Sequence, residues 1–275
     1  MKRQKLKMST IVAIVILGGI LLMSIFAPVL APWDPLEIDM NNALSGPSSE
    51  HLLGTDNIGR DLLSRVVYGG RQSIVLAAAA TGLSMALGCI IGMLAGYFGG
   101  WVDLVITSIS NIFQGLPGMT MMIAIAGLMG SGVTSMLLAL VITSWVGFSR
   151  LVRGEVMKIK GEYFIESLRS LGAGHIRILF FHVMPNLVSS IVIIFATRIA
   201  SSILSVASLS FLGFGLEPPA PDWGIMISDA RMYYRVSPML VIAPGICIVL
   251  LSLSVNVIAD WMRDRFDVRR DSMKE

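Results

Sequence analysis

The sequence predicts an all-α membrane protein of six transmembrane helices with a helical loop on its cytoplasmic side. Three observations carry that prediction. Only 14% of the 275 residues are charged while 55% are hydrophobic, against about a quarter charged in an ordinary soluble domain. Several uncharged runs reach the roughly 20 residues that a helix needs to cross the hydrocarbon of a bilayer. The basic residues gather on one side of the spans that those runs define.

The first span, near 9–30, follows the basic stretch KRQKLK. A signal peptide begins in the same way, but this run is long and ends in FAPVLAPWDP rather than a clear small-residue cleavage site, so it reads as an uncleaved helix. An outer loop at 31–72 leads to a second span at 73–97. Gly88, Gly92, Gly96 and Gly100 recur there at every fourth position and share one helix face. Small residues at this spacing let two backbones approach closely, either inside the bundle or against a second membrane subunit. The uncharged run from Leu104 to Ser149 is too long for one crossing and divides at GSGV, 130–133, into spans at 103–129 and 133–150. Pro117 bends or breaks the third span. The fifth, 186–212, follows a cytoplasmic loop at 151–185 and starts behind Pro185. An outer loop at 213–236 leads to the sixth, 237–260, so a membrane domain at 9–260 lies between short tails at 1–8 and 261–275.

Six crossings put both termini on one side. Lys2, Arg3, Lys5, Lys7, the six basic residues of 150–177, and Arg263, Arg265, Arg269, Arg270 and Lys274 make fifteen on one face, against Arg60, Arg65, Arg71, Arg231 and Arg235 on the other. The positive-inside rule therefore places both termini and the 151–185 loop in the cytoplasm of a cell bounded by this membrane. The formal charge of +3 follows from that asymmetry and needs no nucleic acid partner.

Enzymatic chemistry finds no foothold in the pattern. His51, His175 and His182 fall outside the spans or at their edges, and no Ser/His pair, His/Glu cluster or carboxylate pair lies at membrane depth, so the sequence offers neither catalytic nor metal-ligating residues. There is no G-x-x-x-x-G-K-[ST], so ATP chemistry belongs to a partner. Cys89 and Cys247 lie in predicted spans, where cysteine acts as a small hydrophobe. One charge stands in the hydrocarbon: Arg198, near the middle of the fifth span, where insertion scales put an arginine at about +2.5 to +3.5 kcal/mol. Two readings stay open. It faces a watery pathway and meets an anionic group of a cargo, or it bonds to backbone carbonyls or another subunit.

The cytoplasmic loop is helical from Glu155 to Leu171, is broken at Gly172 and Gly174, and resumes as a second short helix. Phe164, Ile165, Leu168 and Leu171 are more apolar than a solvated linker needs. They pack under the loop's membrane-facing side or they meet a partner.

Here the residues resemble a known family. Glu166, Gly172 and Pro185 have the spacing of the EAA loop in the membrane subunits of ATP-binding cassette importers, with Ser167 and Leu168 where two alanines are usual and His182 and Met184 replacing Ile and Leu. LLGTDNIGRDLLSRVVYGGRQSI, 52–74, and LSFLGFGLEPPAPDWGIMISDAR, 209–231, are similar to segments of the C component of the dipeptide, oligopeptide and nickel permeases. The resemblance runs from about residue 10 to residue 268 with its motifs in matching order.

It implies the type I importer permease fold, a related B component, two cytoplasmic ATPase subunits that bind ATP and Mg, an extracytoplasmic substrate-binding protein, and no cofactor on this chain. The loop would then be the mechanical link to the ATPases. Phe164, Ile165, Leu168 and Leu171 would supply its buried contact, Gly172 its sharp turn, and Glu166 a charge-assisted hydrogen bond, with Ser167 and Ala173 in the same segment. Asp56, Arg60, Asp61 and Trp223 would lie at the outer gate or against the binding protein. Read locally, Asp56, Arg60, Asp61 and Arg65 make i, i+4 pairs, and Trp223, Tyr233 and Tyr234 make interfacial anchors. The family's cargoes rank peptides first, with nickel or another metal chelate as the alternative. A self-sufficient secondary transporter is the competing class, but its paired midplane sites and internal repeat are not visible in the sequence.

Overall fold

A computed structural model describes residues 7–217 and 219–266, so the basic residues at 2, 3, 5, 269, 270 and 274 lie outside the described residues. Helix α1 (Met8–Ile25) runs into a short α2 (Ala27–Leu30) with Pro28 in its first turn. An irregular segment with one 3-10 turn at Met40–Asn42 follows. Helix α3 (Leu62–Phe98) has 37 residues and is about 55 Å long, well beyond a hydrocarbon core of about 30 Å. It starts at Leu62 rather than near 73, because Asp61 caps it by accepting from the Ser64 N–H at 2.7 Å. Arg65 and Arg71, which read as loop charges, are therefore helical.

The expected third span is two helices, α4 (Gly100–Gly115) and α5 (Gly118–Met129), bent by 89°. Pro117 occupies the N-cap of α5, where its missing N–H and fixed φ end the preceding helix. Helix α6 (Val133–Lys160) has 28 residues, about 42 Å. It outruns the span expected at 133–150 because its last turns are basic and polar, and hydropathy stops at the membrane while the helix does not. The loop holds α7 (Tyr163–Ser170) and α8 (His175–Ile178), and a π turn at Leu179–Val183 leads into α9 (Met184–Phe211). Pro185 thus sits inside a continuous helical path. Its ring cannot donate to the preceding turn and would crowd it, and the widened π turn takes up the ring. Helices α10 (Trp223–Asp229) and α11 (Met239–Phe266) complete the chain.

Among the described residues, five helices are long and apolar enough to cross a membrane, and the bent α4–α5 pair makes six where it is counted as one span. The core has two parts. Leu62, Val66, Met136, Leu140, Leu209, Trp223, Leu240 and Leu251 fill one half, and Met93, Tyr97, Phe148, Val152, Val156, Ile165, Ile178 and Leu187 fill the half nearer the 151–185 loop. Two polar side chains buried in the middle of α3 are satisfied within the helix: the Thr81 and Ser84 hydroxyls donate to the Ala77 and Ala80 carbonyls, each at 2.7 Å.

Candidate functional site

The 151–185 loop is built around a helix end. The Gly172 N–H donates to the Arg169 carbonyl at 2.9 Å and the Ala173 N–H to the Leu168 carbonyl at 3.0 Å, the paired bonds of a Schellman cap. Gly172 has φ +78°, and a Cβ there would meet nothing within 4 Å. Its requirement is conformational, since the left-handed cap is open to glycine without strain. Leu168 and Ala173 pack on the core around Tyr97 and Val156 on either side of the turn, the apolar contact that accompanies such a cap.

Ile165 departs from expectation. It is wholly buried in this chain's own core with Val156, Ile178 and Val183, so it holds the loop to the bundle and is not available to an ATPase. The apolar side chains turned outward are Tyr163 (88% exposed), Leu171 (83%), Ile176 (74%) and Phe164 (42%). The Ser167 hydroxyl folds back onto the Tyr163 carbonyl at 3.0 Å. The exposed Glu166 carboxylate has no partner among the described residues. Sequence reasoning missed Tyr97, in the last turn of α3, whose hydroxyl lies 3.1 Å from His175 Nδ1 and whose ring faces the Arg169 guanidinium at 5.5 Å. The signal available was its place at the end of a glycine-lined helix.

Gly88, Gly92 and Gly96 form the seam between α3 and α6. A Cβ on each would lie 2.4 Å from Phe148 Cβ, 2.5 Å from the Ser149 carbonyl oxygen and 2.8 Å from Val156 Cβ, respectively. The stripe therefore packs within this chain. Gly100 does not belong to it: Gly99 and Gly100 both take positive φ, which ends α3, and a Cβ on Gly100 meets nothing within 4 Å. Arg198 projects beside α6 with its guanidinium 3.4 Å from where a Cβ of Gly147 would sit. It is exposed and makes neither an ion pair nor a hydrogen bond among the described residues.

The residues expected at the outer gate are internal. Asp56 accepts from the Ile58 and Arg60 N–H groups, each at 3.0 Å, and pairs with Arg60 Nε at 2.6 Å and Arg65 Nε at 3.5 Å. The Asp56–Arg60 pair is spaced i, i+4 but spans a turn, not a helix. Asp61 Oδ1 lies 3.0 Å from His51 Nδ1. Asp56, Arg60 and Asp61 are 7%, 6% and 2% exposed, so contact with a binding protein is closed to their side chains, and they brace the segment that leads into α3. Trp223, expected as an anchor or outer contact, is fully buried. Its indole N–H donates to the Val66 carbonyl at 2.8 Å, and its ring fills the slot left by Gly69 and Gly70. Asp222 caps α10 through the Gly224 and Ile225 N–H groups and accepts from the Ser73 hydroxyl of α3 at 2.9 Å. Burial pushes its carboxyl above the usual range, against those bonds. Of the tyrosines, Tyr233 packs partly on the core around Trp223 and Leu62 while Tyr234 is half exposed.

Comparison with known proteins gives this arrangement a family. Residues 88–271 match the binding-protein-dependent transport system inner membrane component family, and residues 3–47 match the N-terminal transmembrane domain of oligopeptide transport permease C. The chain is 41% identical to the glutathione transport system permease protein GsiD of Pectobacterium atrosepticum, covering 90% of this chain and 82% of that protein. It is 39% identical to the GsiD of Escherichia coli O157:H7, covering 97% and 87%. It is 36% identical to the dipeptide transport system permease protein DppC of Alkalihalophilus pseudofirmus, covering 99% and 88%. Two solved structures share its fold: the MetNI methionine ABC transporter in an inward-facing conformation, with TM-score 0.56 at 16% identity over 72% of this chain and 96% of that one, and an amino acid ABC transporter with histidines, with TM-score 0.57 at 18% identity over 74% and 94%. The helical bundle, its protruding loop and these matches make the chain a multi-pass membrane protein of the binding-protein-dependent transport system inner membrane component family, the permeases of ATP-binding cassette importers.

Proposed function

We propose that this chain is one of two related membrane subunits of an ATP-driven importer and forms half of its pathway for peptides. The observation that carries the reading is the α7–α8 loop, held on the end of an over-long α6 and turning Tyr163, Phe164, Leu171 and Ile176 into the aqueous phase. Leaving four large apolar side chains in water is unfavourable, since a fully exposed one gains roughly 1.5–3 kcal/mol on full burial. A cleft on a cytoplasmic ATPase is the partner that suits them. Two such ATPases bind ATP and Mg, a second permease of B type closes the pathway, and an extracytoplasmic binding protein delivers the cargo. The membrane is the cytoplasmic one, with the loop and both termini on its inner side. Peptide is favoured over a metal chelate because the relatives at 36–41% identity are named for glutathione and dipeptide transport, and because the unpaired Arg198 suits a carboxylate-bearing cargo.

The test is affinity purification of the tagged chain in mild detergent, followed by mass spectrometry. The expected result is co-purification of a second permease and ATPase subunits. Gly172→Asp loses the ATPases and Gly172→Asn keeps them, because both side chains fit the open left-handed cap and only the carboxylate brings charge to the interface. Recovery of the chain alone while other membrane complexes stay intact would sink the proposal.

A further inference from the structure

We infer that α3 is a second transmission element of the importer, gripped at its cytoplasmic end by the coupling loop through Tyr97, so that Tyr97, His175 and Arg169 are positioning residues for transport. The inference rests on the importer reading above and goes beyond it. Motion of the loop reaches α6 and α9 through the backbone, because the loop connects them directly. Helix α3 has no backbone connection to the loop, so beyond its packing on α6 along the glycine seam it can follow the loop directly only through side chains.

The side chains that touch it come from both halves of the loop. His175, the first residue of α8, meets the Tyr97 hydroxyl at 3.1 Å, and its ring lies edge-on at 5.8 Å between centroids. Arg169, in the last turn of α7, stands over the face of the same ring at 5.5 Å. Phe98 adds a ring contact to His175 at 6.2 Å. Gly172 lies between the two helices that make these contacts, so a change in the angle between α7 and α8 acts on one side chain from two directions. Tyr97 is 2% exposed and belongs to the cytoplasmic core, so it has little room to slip out of that grip.

Two further features suit α3 to the task. A recess of about 350 Å³ opens beside the grip, lined by Gly96, Gly99, Asp103, Lys160, Gly161 and Arg169. It gives the loop space to rock against α4 and α6 while Tyr97 stays held. At its other end, α3 binds the outer segment through the Trp223 slot at Gly69 and Gly70 and through the Ser73–Asp222 bond. A single 37-residue helix thus joins the loop to the outer face.

The assay reconstitutes the complete complex in vesicles with its binding protein and measures peptide imported per ATP hydrolysed. A wild-type complex that hydrolyses ATP but imports no peptide would overturn the importer reading itself, before any variant is compared. Tyr97→Phe keeps the ring and its packing and removes only the hydroxyl. It is expected to lower the import-to-hydrolysis ratio about threefold to tenfold, the effect of one net hydrogen bond, with ATPase subunits retained. His175→Ala is expected to lower it at least as far, the double variant to be no worse than His175→Ala alone, and His175→Asn, whose amide stands where Nδ1 does and can still meet the hydroxyl, to restore most of the ratio. An unchanged ratio in Tyr97→Phe, or losses that multiply in the double variant, would remove α3 from the transmission path.

Discussion

At the scale of single residues, burial decides roles that residue type leaves open. Trp223 looks like a headgroup anchor in a membrane sequence, yet it is fully enclosed. The deciding neighbours are Gly69 and Gly70, some 150 residues earlier in the chain: a Cβ on Gly70 would approach Trp223 Cζ2 to 2.8 Å. Nothing in the local sequence around 223 announces that slot. Trp223→Ala should cost about 3–5 kcal/mol, as for other large aromatics removed from a core, and Trp223→Phe should cost less because the slot stays partly filled. Thermal unfolding in detergent orders the three proteins. An anchor at the headgroup level would give a much smaller loss. Arg198 is the converse case, a charge that sequence alone could not pair and that the described structure leaves exposed beside Gly147. If it meets a cargo carboxylate, Arg198→Ala lowers import of peptides with a free carboxyl terminus about tenfold or more, the scale of a hydrogen bond to a charged group. C-terminally amidated peptides then lose far less. Equal loss for both cargoes would make the residue structural.

At the scale of elements, hydropathy located the spans but not the ends of the helices. Positions 73–97 and 133–150 mark where apolar residues run. Helix α3 extends past its span at the N-terminal end and α6 at the C-terminal end, because a helix stops at a cap and not at a change of polarity. The cap at Asp61 was legible in principle, since DLLS places an acceptor three residues before a serine N–H. It was hidden by Arg65 and Arg71, whose charges read as loop. The 89° break at Pro117 was legible because proline acts locally. The glycine stripe was legible as a close-packing face, but its partner was not, and Gly100 fell off it because two positive-φ glycines end the helix first. That seam makes opposite predictions for two glycines of one helix. In Gly92→Ala the new methyl would lie 2.5 Å from the Ser149 carbonyl oxygen, while in Gly82→Ala it meets nothing within 4 Å. Gly92→Ala should destabilise the protein by about 1–3 kcal/mol, the usual range for overpacking, and Gly82→Ala should stabilise it by up to about 1 kcal/mol through helix propensity. The melting temperatures of the two variants in the same detergent should fall on opposite sides of the wild type.

At the scale of the whole molecule, orientation rests on charge, and the fold adds an independent constraint. Helix α6 carries the α7–α8 loop at one end, while the Asp56–Arg60–Arg65 network and the Trp223 slot lie at the opposite end of α3. Because α3 and α6 run side by side along the glycine seam, these two polar regions lie on opposite sides of the bilayer whichever way the protein is inserted. The positive-inside rule then chooses between two complete arrangements, not among many partial ones. Single cysteines at Ser49 and Ser170, both exposed, report on the two sides once Cys89 and Cys247 are replaced by alanine. In intact cells a membrane-impermeant maleimide should label Ser49→Cys at once and Ser170→Cys only after permeabilisation. Because the two sites are fixed to opposite ends of one packed pair of helices, the reverse labelling would invert the entire molecule. It would put the exposed apolar loop outside the cell, away from any ATP, and no coupling role for α7 and α8 could survive it.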